Sequence, residues 1–278
     1  MNLSDIKLVA SDMDGTLLNS NGELTADFFP LFERMNAQGI TFAAASGRQL
    51  FSLLKQFESI KNEMVFVAEN GSYILYKGEE LLMQSLDPIT VVKLLKKTKQ
   101  IPGIYTILCG KKNAYIESTD KDFVHSLNQH YRKFEILEDL TVLPDDDFLK
   151  ITICDLEGSE KNSYTYFKEM ENEIQVKVSG DIWLDLSHKL ANKGTALRVL
   201  QEKLDLTADQ TMVFGDYLND LEMMGEAYYS YAMENAHPAI IEAARFVTKS
   251  NDENGVVVVL EEMIETVEST ATLRKSAI

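Results

Sequence analysis

Apolar residues recur along this chain in two periods. Ile6 to Ala10 is a short, nearly continuous apolar run with Lys7 its one charge, which predicts a buried strand ending in a turn. Similar runs stand at Ile40–Ala45, Met64–Ala68, Thr211–Phe214 and Tyr228–Ala232. Helical spacing lies between them. Phe28, Leu31, Phe32 and Met35 share one helix face, with Thr25 as the expected N-cap, Pro30 distorting the start and Gly39 ending the helix. Phe51, Leu54 and Phe57 mark a second helix, and Leu197, Leu200 and Leu204 a third that opens at Lys193. Pro238 suits the first turn of a helix to about Ala244. A final helix is expected from Val257 to Val267, with a polar tail from Ser269 that frays. Strands alternating with helices predict a parallel sheet with helices on its faces.

The rhythm breaks in the middle. Ser72–Tyr76 and Glu80–Gln84, around Lys77-Gly78, read as an antiparallel hairpin. A different set of elements follows. Helices are expected at Ile89–Lys99, Lys121–Tyr131 and Lys161–Glu171, and strands at Ile104–Cys109, Ala114–Glu117, Leu149–Asp155, Gln175–Val178 and Ile182–Leu186. This stretch carries enough apolar positions for its own core. The expected organisation is a parallel-sheet core at 1–84 and 188–278 with an inserted α+β domain at 85–187. Asp145-Asp146-Asp147 reads as a solvated turn.

Composition narrows the class. The chain has 278 residues, 45% of them hydrophobic and 26% charged, as in soluble globular proteins. Its net charge of −17 disfavours nucleic acid and anionic membranes as partners. It also repels phosphorylated metabolites at long range, so a phosphate site must carry local positive charge. No apolar stretch reaches the roughly 18 residues of a membrane span. Cys109 and Cys154 both lie in apolar runs, so they make no disulfide framework. The expected location is cytoplasmic.

The chemistry starts at Asp12-Met13-Asp14-Gly15-Thr16, where the first strand ends. In extended backbone, residues two apart face one side, so Asp12 and Asp14 can converge outside the carboxyl end of a strand. Two carboxylates that close repel each other unless a cation shares the site, and a hard ion such as Mg²⁺ is the natural partner. Gly15 lets the chain turn sharply, and Thr16 adds a hydroxyl. The loop is not an EF-hand, because its glycine stands at the wrong position. Three further polar clusters stand at strand ends or helix starts: Ser46, Lys193, and Asp216 with Asn219 and Asp220. Each alone has an ordinary structural explanation, as a cap, a surface lysine or a first-turn acid. All four at one end of one sheet suit phosphoryl transfer, which needs a nucleophile, charge neutralisation, donors to the phosphoryl oxygens and an acid for the leaving group.

These motifs resemble those of the haloacid-dehalogenase-like phosphohydrolases, and more closely the Cof-type phosphatases with a type IIB cap. The matching segments are Asp12 to Leu17, Ser46-Gly47-Arg48, Asn192-Lys193-Gly194, Gly215 to Asp220, Ala232 to Ala236 and Ser250 to Val256. The resemblance covers nearly the whole chain and implies a doubly wound, Rossmann-like core. It implies that Asp12 attacks phosphorus and that Asp14 protonates the leaving oxygen and later activates water. Ser46 and Lys193 would bind the phosphoryl group. Asp12, the backbone carbonyl of Asp14, and Asp216 would hold Mg²⁺, with Asp220 supporting the metal or Lys193. Gly15, Thr16, Gly47, Arg48, Asn70, Gly71 and Asn219 would lie around the substrate. The implied activity is Mg²⁺-dependent hydrolysis of a small phosphorylated metabolite, a sugar phosphate first, through an aspartyl-phosphate. A sugar-phosphate phosphotransferase or mutase and a non-enzymatic phospho-aspartate switch remain alternatives. Ser46 replaces the family's usual threonine and keeps the hydroxyl. Glu234 replaces a usual glycine, which leaves the role of Asn235 open. Tyr115, Trp183 and His188 are candidates for substrate selection, though each suits a core or linker position as well. One sequence does not name the substrate or the oligomeric state.

Overall fold

The computed structural model describes residues 2–276. In chain order the elements begin with β1 (Leu8–Ser11), α1 (Phe28–Ala37), β2 (Thr41–Ala45), α2 (Leu50–Gln56), β3 (Val65–Ala68), β4 (Tyr73–Tyr76) and β5 (Glu79–Met83). The middle contributes α3 (Pro88–Thr98), β6 (Ile104–Gly110), β7 (Ala114–Ile116), α4 (Lys121–His130), β8 (Phe134–Ile136), β9 (Phe148–Asp155), α5 (Ser163–Phe167), β10 (Gln175–Gly180) and β11 (Trp183–Ser187). The chain closes with α6 (Lys193–Leu204), β12 (Thr211–Gly215), α7 (Leu221–Gly225), β13 (Tyr229–Ala232), α8 (Pro238–Ala243), β14 (Phe246–Val247) and α9 (Gly255–Ser276).

The larger sheet has the order β14-β13-β12-β1-β2-β3-β4-β5. It is parallel from β14 through β3, and the β4–β5 hairpin extends it antiparallel. Every residue of β1 and β12 is buried, because helices cover both faces. The order reverses between β1 and β12, which leaves a crevice beyond their carboxyl ends. Asp12 and Asp216 are the first residues past those two strands. The expected α/β, doubly wound core is the fold seen.

The smaller sheet, β10-β11-β9-β6-β7-β8, is antiparallel except for β7 beside β8. It has apolar clusters of its own. Ile151, Ile153, Leu184 and Leu186 pack with α3 on one face. The two-residue period then turns Lys150, Thr152, Trp183 and Asp185 to the other face. Cross-strand pairing sets Asp185 opposite Thr152 and Ser187 opposite Lys150.

Several local expectations differ. Thr25 does not cap α1. Its carbonyl accepts the Phe28 N–H in a turn, and Asp27 takes the N-cap position without a side-chain bond. Pro30 then falls in the first turn, where its missing N–H has no partner to lose. Ser46 caps nothing, since α2 begins after Gln49. The helix expected at Lys161–Glu171 is only the short α5 followed by a 3₁₀ turn, Lys168–Met170. The polar tail continues α9 to Ser276, held where Glu268 meets Arg34 at 2.7 Å and where the Thr270 and Thr272 hydroxyls donate to carbonyls four residues back. β8 and β14 were not foreseen, because two or three residues cannot show a period. Asp146 does more than sit in a solvated turn: it accepts from the backbone N–H groups of Lys112 and Asn113 and from the Tyr115 hydroxyl.

Candidate active site

The four motif clusters meet at the crevice. Gly15 follows Asp14 with φ +75°, and a Cβ there would overlap the Asp216 carboxylate. Glycine thus lets the β1 and β12 loops touch. Thr16 Oγ1 donates to Asp216 Oδ1 at 2.8 Å, which fixes that carboxylate. Lys193 opens α6, where Asn192 caps the helix by accepting the Thr195 N–H at 2.7 Å. The Lys193 ammonium is fully buried, pairs with Asp12, and meets Asp220 Oδ1 at 2.6 Å. The other Asp220 oxygen accepts the N–H groups of Asp216 and Tyr217 at 3.0 and 3.2 Å, folding the loop that follows β12.

Carboxylate oxygens of Asp12, Asp216 and Asp220 lie within 4.8 Å of one another. Burial pushes the Asp12 carboxyl well above its ordinary range, and its acidic neighbours add to the rise although Lys193 opposes it. Burial, then Asp220, pushes Asp216 up to about 7. Burial draws the Lys193 ammonium down, but Asp12 and Asp220 outweigh it, so Lys193 stays protonated. Two buried carboxylates, Asp12 and Asp220, hold the one ammonium, and the partly buried Asp216 stands beside them. A set of hard oxygen donors with excess negative charge fits Mg²⁺.

Asp14 stands apart from that group. Its half-exposed carboxylate receives Arg48 Nε at 2.7 Å and Nη2 at 2.5 Å, a two-point ion pair. Buried Ser46 accepts the Arg48 N–H through Oγ at 3.1 Å. A cavity of about 370 Å³ joins these groups to the smaller sheet, and Asp12, Asp14, Gly15, Ser46, Gly47, Arg48, Asp216 and Asn219 line its core side. Thr16, Asn70, Gly71, Lys193 and Asp220 stand behind that lining. Asn70 accepts from Asn219 Nδ2 at 3.0 Å and donates to Asp185. Gly71, at φ +92°, lets the chain pass the Asn192 carbonyl. Glu234 is exposed, while Asn235 donates to the Gly15 carbonyl at 2.8 Å and accepts the Asn251 N–H at 3.1 Å. Asn235 therefore braces the Asp14-Gly15 turn. Trp183 lines the cavity, Tyr115 is buried in the smaller sheet, and His188 accepts the Leu190 N–H in the linker.

Sequence reading missed Lys150, Glu69 and Asp185. Lys150 reaches from β9 to donate to the Gly47 carbonyl at 2.7 Å, and it pairs with Asp185 Oδ2 at 3.2 Å and Glu69 Oε2 at 3.0 Å. The signal was present. A lysine inside the apolar run 148–155 and an aspartate inside 183–187 are costly in a buried strand unless they pair.

Residues 9–260 match the family described as haloacid dehalogenase-like hydrolase. The chain is 32% identical over 263 residues to the 5-amino-6-(5-phospho-D-ribitylamino)uracil phosphatase YbjI of Escherichia coli (strain K12), covering 94% of this chain and 97% of that protein. It is 28% identical over 253 residues to the phosphatase YcsE of Bacillus subtilis (strain 168), named for the same substrate, covering 91% and 93%. The crystal structure of SMU.1108c from Streptococcus mutans UA159 superposes with a TM-score of 0.88 at 29% identity, covering 94% of this chain and 99% of that one. Among the described residues no helix is long and apolar enough to cross a membrane. The chain belongs to the haloacid dehalogenase-like hydrolase family, as a phosphatase.

Proposed function

We propose that this protein is a Mg²⁺-dependent phosphomonoesterase that removes phosphate from a small metabolite, a sugar or sugar-alcohol phosphate first, by way of an aspartyl-phosphate. The observation that carries the reading is the division of labour between two aspartates. Asp12 is buried against Lys193 among the metal-fitting carboxylates, while Asp14 stands across the cavity mouth on Arg48.

Asp12 Oδ attacks phosphorus, and the bond from phosphorus to the ester oxygen breaks. Asp14 gives the departing oxygen its proton. A bound phosphate competes for the Arg48 guanidinium, which frees Asp14 to carry that proton. Ser46 and Lys193 hold the phosphoryl oxygens. Water then attacks the aspartyl-phosphate, Asp14 takes its proton, and Asp12 is released with inorganic phosphate. When bound at Asp12, Asp216 and the Asp14 carbonyl, Mg²⁺ neutralises phosphate charge. Asp220 supports Lys193 from behind, and Asn219 stands at the phosphate side of the lining. Residues 85–187 act as a cap that excludes water and selects the leaving group. The ribitylaminouracil phosphate in the names of two relatives is a sugar-alcohol phosphate, which supports that class. The free, buried thiols of Cys109 and Cys154 suit the reducing cytoplasm. Phosphate transfer to a sugar hydroxyl uses the same residues and would appear as an isomerised product. A phospho-aspartate switch has no use for Asp14 as an acid.

The test is phosphate release from p-nitrophenyl phosphate and a metabolite panel, with Mg²⁺ or EDTA, by wild type and Asp12→Asn. Metal-dependent release by wild type and none by Asp12→Asn is the expected result. Full activity in Asp12→Asn sinks the mechanism.

A further inference from the structure

The cavity has two ends of different charge. Among the described residues its lining carries two cations, Arg48 and Lys150, and both are already engaged. Arg48 grips Asp14 at two points, at the end where the phosphate binds. Lys150 has three N–H donors. They face the Gly47 carbonyl at 2.7 Å, Asp185 at 3.2 Å and Glu69 at 3.0 Å, so none is left for a ligand. Asp185 is closed off in the same way, since Thr152 donates to Oδ1 at 2.5 Å while Lys150 and Asn70 take Oδ2.

The wall facing the leaving group is therefore made of other groups. Asp181, in the turn between β10 and β11, is exposed at the rim, and among the described residues its carboxylate meets no cation. Its one side-chain contact among the described residues is the Tyr217 hydroxyl at 3.5 Å. Trp183 and Tyr131 provide ring surface beside it. An acceptor-rich, aromatic wall in a chain of net charge −17 favours neutral donors and repels anions.

We infer that the smaller sheet restricts the enzyme to monophosphates whose leaving group is uncharged and bears hydroxyl or amino donors, and that it rejects leaving groups carrying a second phosphate or a carboxylate, with Asp181 as the specificity-determining residue. This deepens the phosphatase reading and rests on it. A second anion would lie near the Asp181 carboxylate with no free cation among the described residues of the lining to answer it, and like charges set together repel.

Two aryl phosphates of similar leaving-group acidity read this directly: 4-(hydroxymethyl)phenyl phosphate and 4-carboxyphenyl phosphate. Wild-type kcat/KM with Mg²⁺ is expected to be about 100-fold lower for the carboxylate. Asp181→Lys should shrink that ratio to about 10-fold or less, because the rim charge changes sign. Asp181→Asn, which keeps the shape, should fall between. Comparable wild-type rates on the two esters overturn the inference while leaving the phosphatase reading intact. So does a preference that Asp181→Lys does not move. No hydrolysis of either ester above the Asp12→Asn blank removes the phosphatase reading itself, and this inference with it.

Discussion

Lys150→Met separates the charge of the buried lysine from its bulk. Lys150 is 2% exposed, as are Asp185 at 2% and Glu69 at 0%, so solvent screens none of them. Methionine keeps most of the volume and leaves Glu69 and Asp185 buried with no cation between them. Breaking a buried ion pair from one side costs about 3–5 kcal/mol, since the remaining charge is uncompensated. At about 2–4 °C per kcal/mol for a chain of this size, the melting temperature should fall by about 6–20 °C near pH 8. The loss should depend on pH. Burial raises the Glu69 carboxyl even beside Lys150, and removing the lysine raises it further. A carboxyl with a raised folded-state pKa contributes stability that is present below its unfolded value and lost as pH rises through the folded value. The deficit of Lys150→Met should therefore shrink as the melts are moved from about pH 8 to about pH 5, because acid favours the protonated Glu69 that burial already favours. Adding Glu69→Gln should recover part of it at the higher pH. Thermal melts of wild type, single and double variants across that range are the assay. A loss under about 2 °C near pH 8 would refute the reasoning. So would a large loss that is the same at both ends, because uncompensated charge would then not be its cause.

Gly15→Ala places a methyl group against Asp216 at a positive φ, and should cut kcat/KM by about 100-fold or more, because a small misplacement of catalytic groups is that costly. An alanine variant of wild-type activity would show that the β1 and β12 loops have room to part. Without metal, stability should fall as pH rises through about 7, where burial and Asp220 hold the Asp216 carboxyl. Saturating Mg²⁺ should flatten that fall, and a melting temperature indifferent to Mg²⁺ near pH 8 would count against the metal site. Burial pushes the Cys109 thiol up to about 12 and Cys154 up to about 11. Since the thiolate is the reactive form, a disulfide reagent near pH 8 should label neither until the protein unfolds. Rapid labelling of native protein would contradict their burial.

Much of this protein was legible in one dimension. The runs at Ile6, Ile40, Met64 and Thr211 became adjacent parallel strands because strands buried on both faces need continuous apolar sequence, and that pattern is local. Asp12, Asp14, Ser46, Lys193 and Asp216 were legible because each sits where a strand ends or a helix starts, positions marked by glycine and by the change of period. Tertiary structure alone decided the rest. Arg48 was named only as a substrate neighbour, and nothing near it in sequence shows that it grips Asp14, 34 residues away. The network of Lys150, Glu69, Asp185 and Asn70 joins two sheets, and Asn70 and Asp185 are 115 positions apart. Charges inside apolar strands announce that partners must exist, because unpaired burial is too costly. They do not say which partners. That choice depends on how the smaller sheet docks on the core, a property of packing over distances no local pattern spans.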